Sequence, residues 1–300
     1  MATPMVSERR RLGPHTTVLV GSEHGKYPDG NTVLVEGSDG RRVVDPSLSA
    51  RSEGLDVDRV VLTHTHEDHA AGVSGVQWSE LSVHQADLAA LRSMDDLMLL
   101  YGIPEAQWPE MSAMLRERFF FDGWPSATGL ADGDVIDLGG VTVRLIHAPG
   151  HTSGHSVYRV EPDGVLVLGD IDLTGFGPYY GDASSSLEDF ETTLAKVREI
   201  EAAHYVTFHH KGVVEGHAAF AAAVDSYATA IQRRTDDLLA LLAGGPQTFD
   251  QLLATGIVYR AGTRPPLFGE SVERHSIERH LARLVADGTV ATDGQQYWRR

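Results

Sequence analysis

Short apolar runs alternate with turn signals over roughly the first 75 residues. The alternation predicts strands at Thr16–Gly21, Thr32–Glu36, Arg42–Val44 and Arg59–Leu62, with turns at Pro28-Asp29-Gly30-Asn31 and Ser38-Asp39-Gly40. Helical spacing follows over Ala86–Met98 and Glu105–Phe119, with breaks at Pro104 and Pro109. Strands return at Val135–Ile136, Val141–Ile146, Ser156–Val160 and Val165–Leu168, then at Tyr205–Phe208 after a helix over Leu187–Glu201. Two strand-rich halves, each followed by helices, predict an α/β sandwich of two sheets with helices outside. From about His217 the pattern is helical: Ala218–Leu242 as one helix or two, Thr248–Thr255, and Ser276–Asp287 after the proline-bearing segment Gly262–Gly269. Thr289–Thr292 and Gln295–Trp298, joined by Asp293-Gly294, read as a closing hairpin. Three helices and a hairpin in this order are those of a winged helix.

Composition changes the picture in three places. The net charge of −17 argues against a broad grip on nucleic acid or an anionic membrane, because either needs a basic surface. Cysteine is absent, which excludes disulfides, thiolate metal sites and cysteine nucleophiles. No apolar run approaches the roughly 18 residues of a membrane span, and Met1–Pro14 lacks the apolar stretch of a signal peptide, so a cytoplasmic location is expected.

The candidate chemistry begins where the run Val60-Val61-Leu62 ends. His64, His66, Asp68 and His69 crowd into six residues there, and imidazole and carboxylate are the ligands of a zinc-type ion when no thiolate is present. His64 and His66 can point into one pocket while Asp68 and His69 reach a neighbouring point, which suits two adjacent ions. Three later strands end in further donors: His151 after Ala148-Pro149-Gly150, Asp170 after Val165-Leu166-Val167-Leu168-Gly169, and His209 with His210 after Tyr205-Val206-Thr207-Phe208. Strand ends on a rigid sheet are where ligands can be held in fixed geometry.

Taken together, His64-x-His66-x-Asp68-His69, Pro149-Gly150-His151-Thr152-x-Gly154-His155, Gly169-Asp170 and a late histidine resemble the metallo-β-lactamase fold superfamily, and its glyoxalase II-like members most, over about residues 16–214. The resemblance implies a four-layer αββα sandwich and two divalent ions, zinc first, with iron or manganese as alternatives. One ion would take His64, His66 and His151; the other would take Asp68, His69 and the late histidine, with Asp170 bridging. The late histidine is His209 or His210, and His210 is favoured because Gly212-Val213-Val214 follows it as small and apolar residues follow the family histidine. His155 reads as a supporting group. The implied mechanism is attack by a metal-bridging hydroxide, generated at neutral pH and oriented by Asp68. Tyr179 and Tyr180 are candidates to donate a hydrogen bond to the leaving group. Asp170 and the lack of cysteine point away from a true β-lactamase and toward a small ester, thioester or lactone.

The expected organisation is a catalytic unit over residues 1–225, with a helical cap inserted at 86–130, and a winged-helix-like unit over 226–300 that resembles the tail of certain β-lactamase-like proteins. Arg274, Arg279 and Arg283 share one face of its third helix, a geometry that could contact nucleic acid. From Arg233 onward, however, nine arginines face eight acidic residues, a balance of about +1 that is low for a duplex-binding domain. A small-molecule substrate is therefore expected, with nuclease or nucleic-acid binding as the alternative, no membrane partner, and a C-terminal unit that caps the catalytic body or builds a homodimer.

Overall fold

The computed structural model describes residues 4–259 and 262–300. The first three residues of the expected catalytic unit and residues 260–261 of the expected winged-helix unit lie outside them.

Two sheets form the body. The first runs in the order β1 (Glu8–Arg11), β2 (Thr16–Val20), β3 (Thr32–Glu36), β4 (Arg41–Val44), β5 (Arg59–Val61), β6 (Glu80–His84) and β7 (Thr128–Leu130). The second comprises β8 (Val135–Asp137), β9 (Thr142–His147), β10 (Ser156–Glu161), β11 (Val165–Val167), β12 (His204–Val206) and β13 (Val213–Glu215), again neighbours in chain order. Period-two alternation explains the layering. Val18, Val20, Val33, Val35, Val44 and Val61 pack inward against Val143, Leu145, Tyr158, Val160, Val165 and Val167 of the facing sheet. Leu19, Leu34, Val43 and Val60 point to the other face of the first sheet, and Val157, Leu166 and Tyr205 to the other face of the second.

Helices cover both outer faces. After the single turn α1 (Glu67–Ala70), the helices α2 (Leu88–Arg92), α3 (Met94–Tyr101) and α4 (Trp108–Phe119) bury Leu91, Leu97, Met98 and Leu115 against the first sheet. On the second sheet, α5 (Leu187–Arg198) and α6 (His217–Leu242) bury Phe190, Leu194, Phe220 and Val224. The result is the expected four-layer α/β sandwich.

Four strands of the two sheets escaped the apolar pattern: β1, β6, β7 and β13. β1 is an edge strand of sequence Glu-Arg-Arg-Arg with no apolar face, paired to β2 from Glu8 opposite Val20. β7 and β13 are edge strands of three residues with none of them fully buried.

α6 is one continuous helix. Its first turns pack on the second sheet, while Leu238 and Leu242 enter a separate cluster with Leu252, Ile277 and Leu281. That cluster is built with α7 (Phe249–Thr255), α8 (Gly269–Ala286) and a small sheet of β14 (Gln247–Thr248), β16 (Gln296–Arg299) and β15 (Val290–Thr292). α8 begins at Gly269, ahead of the expected Ser276, because its first turns bury Glu273 as well as Val272. A pattern reading places glutamate outside; here the carboxylate accepts the backbone N–H groups of Ile257, Val258 and Tyr259.

Candidate metal centre

β9, β11 and β12 end at the same edge of the second sheet, since β11 and β12 are parallel and β9 is separated from β11 by the antiparallel β10, and the residues after β5 of the first sheet meet them there. Beyond β5 the chain leaves the sheet at Thr63, whose N–H and hydroxyl both donate to the Asp45 carboxylate at 2.7 Å. α1 then carries Asp68 and His69. Beyond β11, Gly169 turns the chain with φ +55°, and an added Cβ would lie 2.7 Å from His155 Nε2. Only glycine serves there, and the turn delivers Asp170.

Seven side chains converge as two groups, His64 with His66, His151 and Asp170, and Asp68 with His69 and His209; within each group the donor atoms lie within 4.8 Å of one another. His151 Nε2 sits 3.1 Å from both His64 Nε2 and His66 Nδ1, and 3.2 Å from Asp170 Oδ2. In the second group His209 Nε2 lies 2.9 Å from Asp68 Oδ2. Asp170 reaches across, with Oδ1 2.9 Å from His69 Nε2 and 3.9 Å from His209 Nε2.

The outward nitrogens are all anchored. His151 Nδ1 donates to Tyr179 O at 2.9 Å and His209 Nδ1 to Gly25 O at 3.0 Å, which turns each Nε2 inward as the atom that would meet an ion in place of a proton. His66 Nε2 meets Asp182 Oδ2 at 2.7 Å, His69 Nδ1 meets Asp45 Oδ2 at 3.0 Å, and His64 Nδ1 lies 3.1 Å from Thr63 Oγ1. Imidazoles held from behind and aimed at a common point, with carboxylates and no thiolate, fit a pair of zinc-type ions.

The local electrostatics agree with that fit. Burial, followed by the neighbouring His69 and His66, pushes His64 well below its ordinary value, so it stays a neutral donor. Burial acts the same way on His209, but the carboxylates of Asp172, Asp68 and Asp170 outweigh it and raise the group to about 10. His66 is likewise raised to about 9, burial being outweighed by Asp182. Asp170 is half-buried, and His69 and His151 outweigh its desolvation and hold it well below the usual carboxylate range. The carboxylates thus create a field that favours positive charge where the donors meet.

A family model of the metallo-beta-lactamase superfamily matches residues 26–210, well over half of the chain and all seven converging side chains. The chain belongs to the metallo-beta-lactamase superfamily. The expected class, a hydrolase of this superfamily, follows from that membership. Among curated relatives, the atrochrysone carboxyl ACP thioesterase of Pseudocercospora fijiensis is 21% identical over 96% of this chain and 80% of its own length. The acyl-coenzyme A thioesterase of Homo sapiens is 28% identical over 58% of this chain and 70% of its own length. The chain spans little more than half of some others, 53% for the thioesterase of Aspergillus terreus. Among solved structures, a metallo-beta-lactamase family protein of Thermus thermophilus gives a TM-score of 0.66 at 24% identity, covering 99% of this chain and 97% of the other. A beta-lactamase domain protein of Burkholderia ambifaria gives 0.67 at 18% identity, covering 100% and 95%. At these identities the likeness is one of fold.

In this metallo-beta-lactamase superfamily chain the structure separates two adjacent pairs that the pattern left together. His209 joins the second donor group, whereas His210, favoured on sequence, stands at the rim with φ +55° and its ring centroid 6.0 Å from that of His209. The left-handed turn at His210 directs consecutive side chains apart, so the geometry favours His209. Tyr179 lines the cavity over the donors and donates to Asp182 Oδ1 at 3.2 Å. Tyr180 turns away: its hydroxyl lies 2.8 Å from His280 Nε2 of α8, outside the cavity, and this geometry gives no support to a leaving-group role. His155 stands behind the donors, with Nε2 accepting the Asp170 N–H at 3.2 Å.

Several groups went unnoticed in the sequence. Asp45 follows the apolar run Val43-Val44 just as Asp170 follows its own strand, a signal that could have found it. Asp182 lies in a loop with no such signature. Asp87 accepts from Thr65 N, Thr152 Oγ1 and Gly154 N, tying the first histidine loop to the His151 loop. Glu67 receives the hydroxyls of Tyr27, at 3.0 Å, and Tyr101.

Over the donors lies a cavity of about 320 Å³. Tyr101, Ile103 and Met111 of the expected cap segment, Phe176 of the loop after Asp170, and Tyr259 and Val272 of the C-terminal segment form much of its wall. Among the described residues, no lysine or arginine lines it. Burial raises the phenols of Tyr101 and Tyr179 well above their ordinary value, so both remain protonated hydrogen-bond donors.

Proposed function

We propose that this chain is a dinuclear metal-dependent hydrolase of small carbonyl esters, with thioesters as the leading substrate and esters and lactones of similar size beside them. The observation that carries the substrate class is the cavity: apolar and aromatic walls around a carboxylate- and imidazole-lined floor, without a lysine or arginine among its described lining residues. Such a wall suits a neutral acyl group and offers no lysine or arginine to an anionic one. The thioesterase names of the relatives from Pseudocercospora fijiensis and Homo sapiens point the same way. The glyoxalase II-like character of the Pro-Gly-His-Thr-x-Gly-His segment belongs to this reading.

His64, His66 and His151 would hold one ion, Asp68, His69 and His209 the other, with Asp170 placed between; zinc suits the donor set, and iron or manganese are the alternatives. Ions bound there would supply Lewis acidity and hydroxide at neutral pH. The chain's own groups do the rest. Asp68, on the floor of the cavity, is placed to orient a nucleophile. The Tyr179 hydroxyl faces the cavity as a protonated donor and can serve the leaving atom by giving up its bond to Asp182. Tyr27 and Tyr101, pinned by Glu67, stiffen the wall opposite. We assign residues 1–225 to the catalytic unit, with 86–130 partly a cap, and 226–300 to a winged-helix-like unit that closes the cavity through Tyr259 and Val272.

The alternative, a nuclease or nucleic-acid-binding protein, needs a free basic face on α8. Instead Arg279 donates to Ser185 O, Arg283 pairs with Glu188 and Glu191, and Arg274 lies 3.5 Å from Glu270. Metal analysis with a panel of thioesters, lactones and nucleotide diesters tests the proposal. The expected outcome is about two ions per chain and a kcat/KM for a thioester at least about 10-fold above that for any diester. Fewer than one ion per chain after metal-replete purification sinks the dinuclear claim; turnover confined to diesters sinks the substrate class.

A further inference from the structure

We propose that Arg279 of α8 is a positioning residue for the first donor group, acting through the loop of residues 179–185; the inference rests on reading the cluster as a two-ion centre. The loop has no sheet or helix ladder of its own; Ala183 and Ser184 donate their N–H groups to Tyr101 O and Leu100 O, and the rest of its shape depends on what its carbonyls bind. Arg279 Nε and Nη2 donate to Ser185 O at 3.1 and 2.8 Å, and Nη2 also donates to Asp182 O. His275, one turn earlier on α8, donates from Nδ1 to Gly181 O at 2.8 Å. The helix is pressed against the loop here, for a Cβ on Gly181 would stand 2.4 Å from Val272 Cγ1.

The side chains of Asp182 and Ser185 face the opposite way, toward the donors. Asp182 Oδ2 anchors His66, and Tyr179 O anchors His151. Ser185 Oγ donates to His151 O at 2.6 Å while accepting the Asp182 N–H at 3.1 Å. Two of the three imidazoles of the first group are therefore held by residues whose carbonyls, or whose neighbours' carbonyls, end on Arg279. The second group has no such link: His69 rests on Asp45 and Thr63, and His209 on Gly25. A guanidinium fork suits this post because it reaches two carbonyls at once in a fixed plane, which an ammonium cannot do.

The test compares Arg279→Ala, Arg279→Lys and Arg283→Ala with the parent protein, each loaded with metal. Release of each ion to a chelator is followed alongside the melting temperature. Arg283 is the control, since it docks α8 on α5 through Glu188 and Glu191 without touching the loop. Loss of a group that orients a ligand from behind typically weakens metal binding 10- to 100-fold. The expected result is that Arg279→Ala releases one of two ions about 10-fold faster or more and leaves the other at the parental rate. Arg279→Lys should fall between, and Arg283→Ala should release both at the parental rate whatever its melting temperature. Parental release of both ions from Arg279→Ala overturns the inference, as does equal acceleration of both ions in Arg279→Ala and Arg283→Ala. Should Arg279→Ala not fold, Asp182→Ala must show the same one-ion acceleration, and parental rates there overturn it. A parent protein that binds no ion fails at the earlier step, the two-ion reading itself.

Discussion

The two donor groups of this metallo-beta-lactamase superfamily chain share Asp170 but draw their support from different parts of the molecule. Asp68, His69 and His209 lean on Asp45, Thr63 and Gly25, all in the N-terminal half and close to the first sheet. His66 and His151 lean on the 179–185 loop, which is in turn held by Arg279, 94 residues beyond Ser185. The first group is thus mechanically tied to the C-terminal segment and the second is not. One site with two suspensions can be disturbed on one side alone, by changes far from the chemistry. That difference also gives the C-terminal helices a task that needs no nucleic acid.

The largest expected effect removes what the groups share. Asp170→Ala takes away the carboxylate that reaches His151, His69 and His209, so both ions should bind less tightly and kcat/KM should drop about 1000-fold, or about 4 kcal/mol. Full activity in that variant would contradict the bridging position and leave the two groups independent.

A change confined to the second group should cost less. His209→Ala is expected to lower activity about 100-fold and to release one ion, whereas His210→Ala should stay within about 2-fold of the parent. Metal content and steady-state kinetics of both variants decide it, and the opposite order would return the late donor to His210.

The smallest effect sharpens the link between the first group and the C-terminal segment. His280 of α8 is fully buried between Tyr180 and Thr235, with Nδ1 2.9 Å from Thr235 Oγ1. Burial, followed by the charges of Arg234 and Arg283, lowers it from 6.5 to about 3. A histidine with a depressed folded-state pKa contributes its full stability above pH 6.5 and loses it as the pH falls toward 3, because only the unfolded chain takes up the proton. Between pH 7 and 5 the loss is about 2 kcal/mol. In urea denaturation, His280→Gln should flatten the pH dependence of stability by about that amount; coincident slopes would remove His280 from the account.

Legibility in the sequence followed the range of the interaction. Thr32–Glu36 was readable to the residue because alternation within five positions fixes a strand with two buried faces. The seven donors could be found because each lies in a short motif or at the end of an apolar run. Adjacent pairs were another matter. His209 and His210, or Tyr179 and Tyr180, are chemically alike and one position apart, and only the folded backbone decides which side chain reaches the donors. The arginines of α8 were visible as a face, but nothing local said that Arg279 and Arg283 would be engaged by the catalytic body.

What the sequence determined by itself was therefore the chemistry: imidazole and carboxylate without thiolate, delivered at strand ends, in an α/β frame set by local periodicity. What only the tertiary structure decided was the pairing of those groups. His66 and Asp182 meet at 2.7 Å although 116 residues separate them. That contact depends on how two sheets, a loop and a C-terminal helix pack, and no short stretch of the chain encodes it.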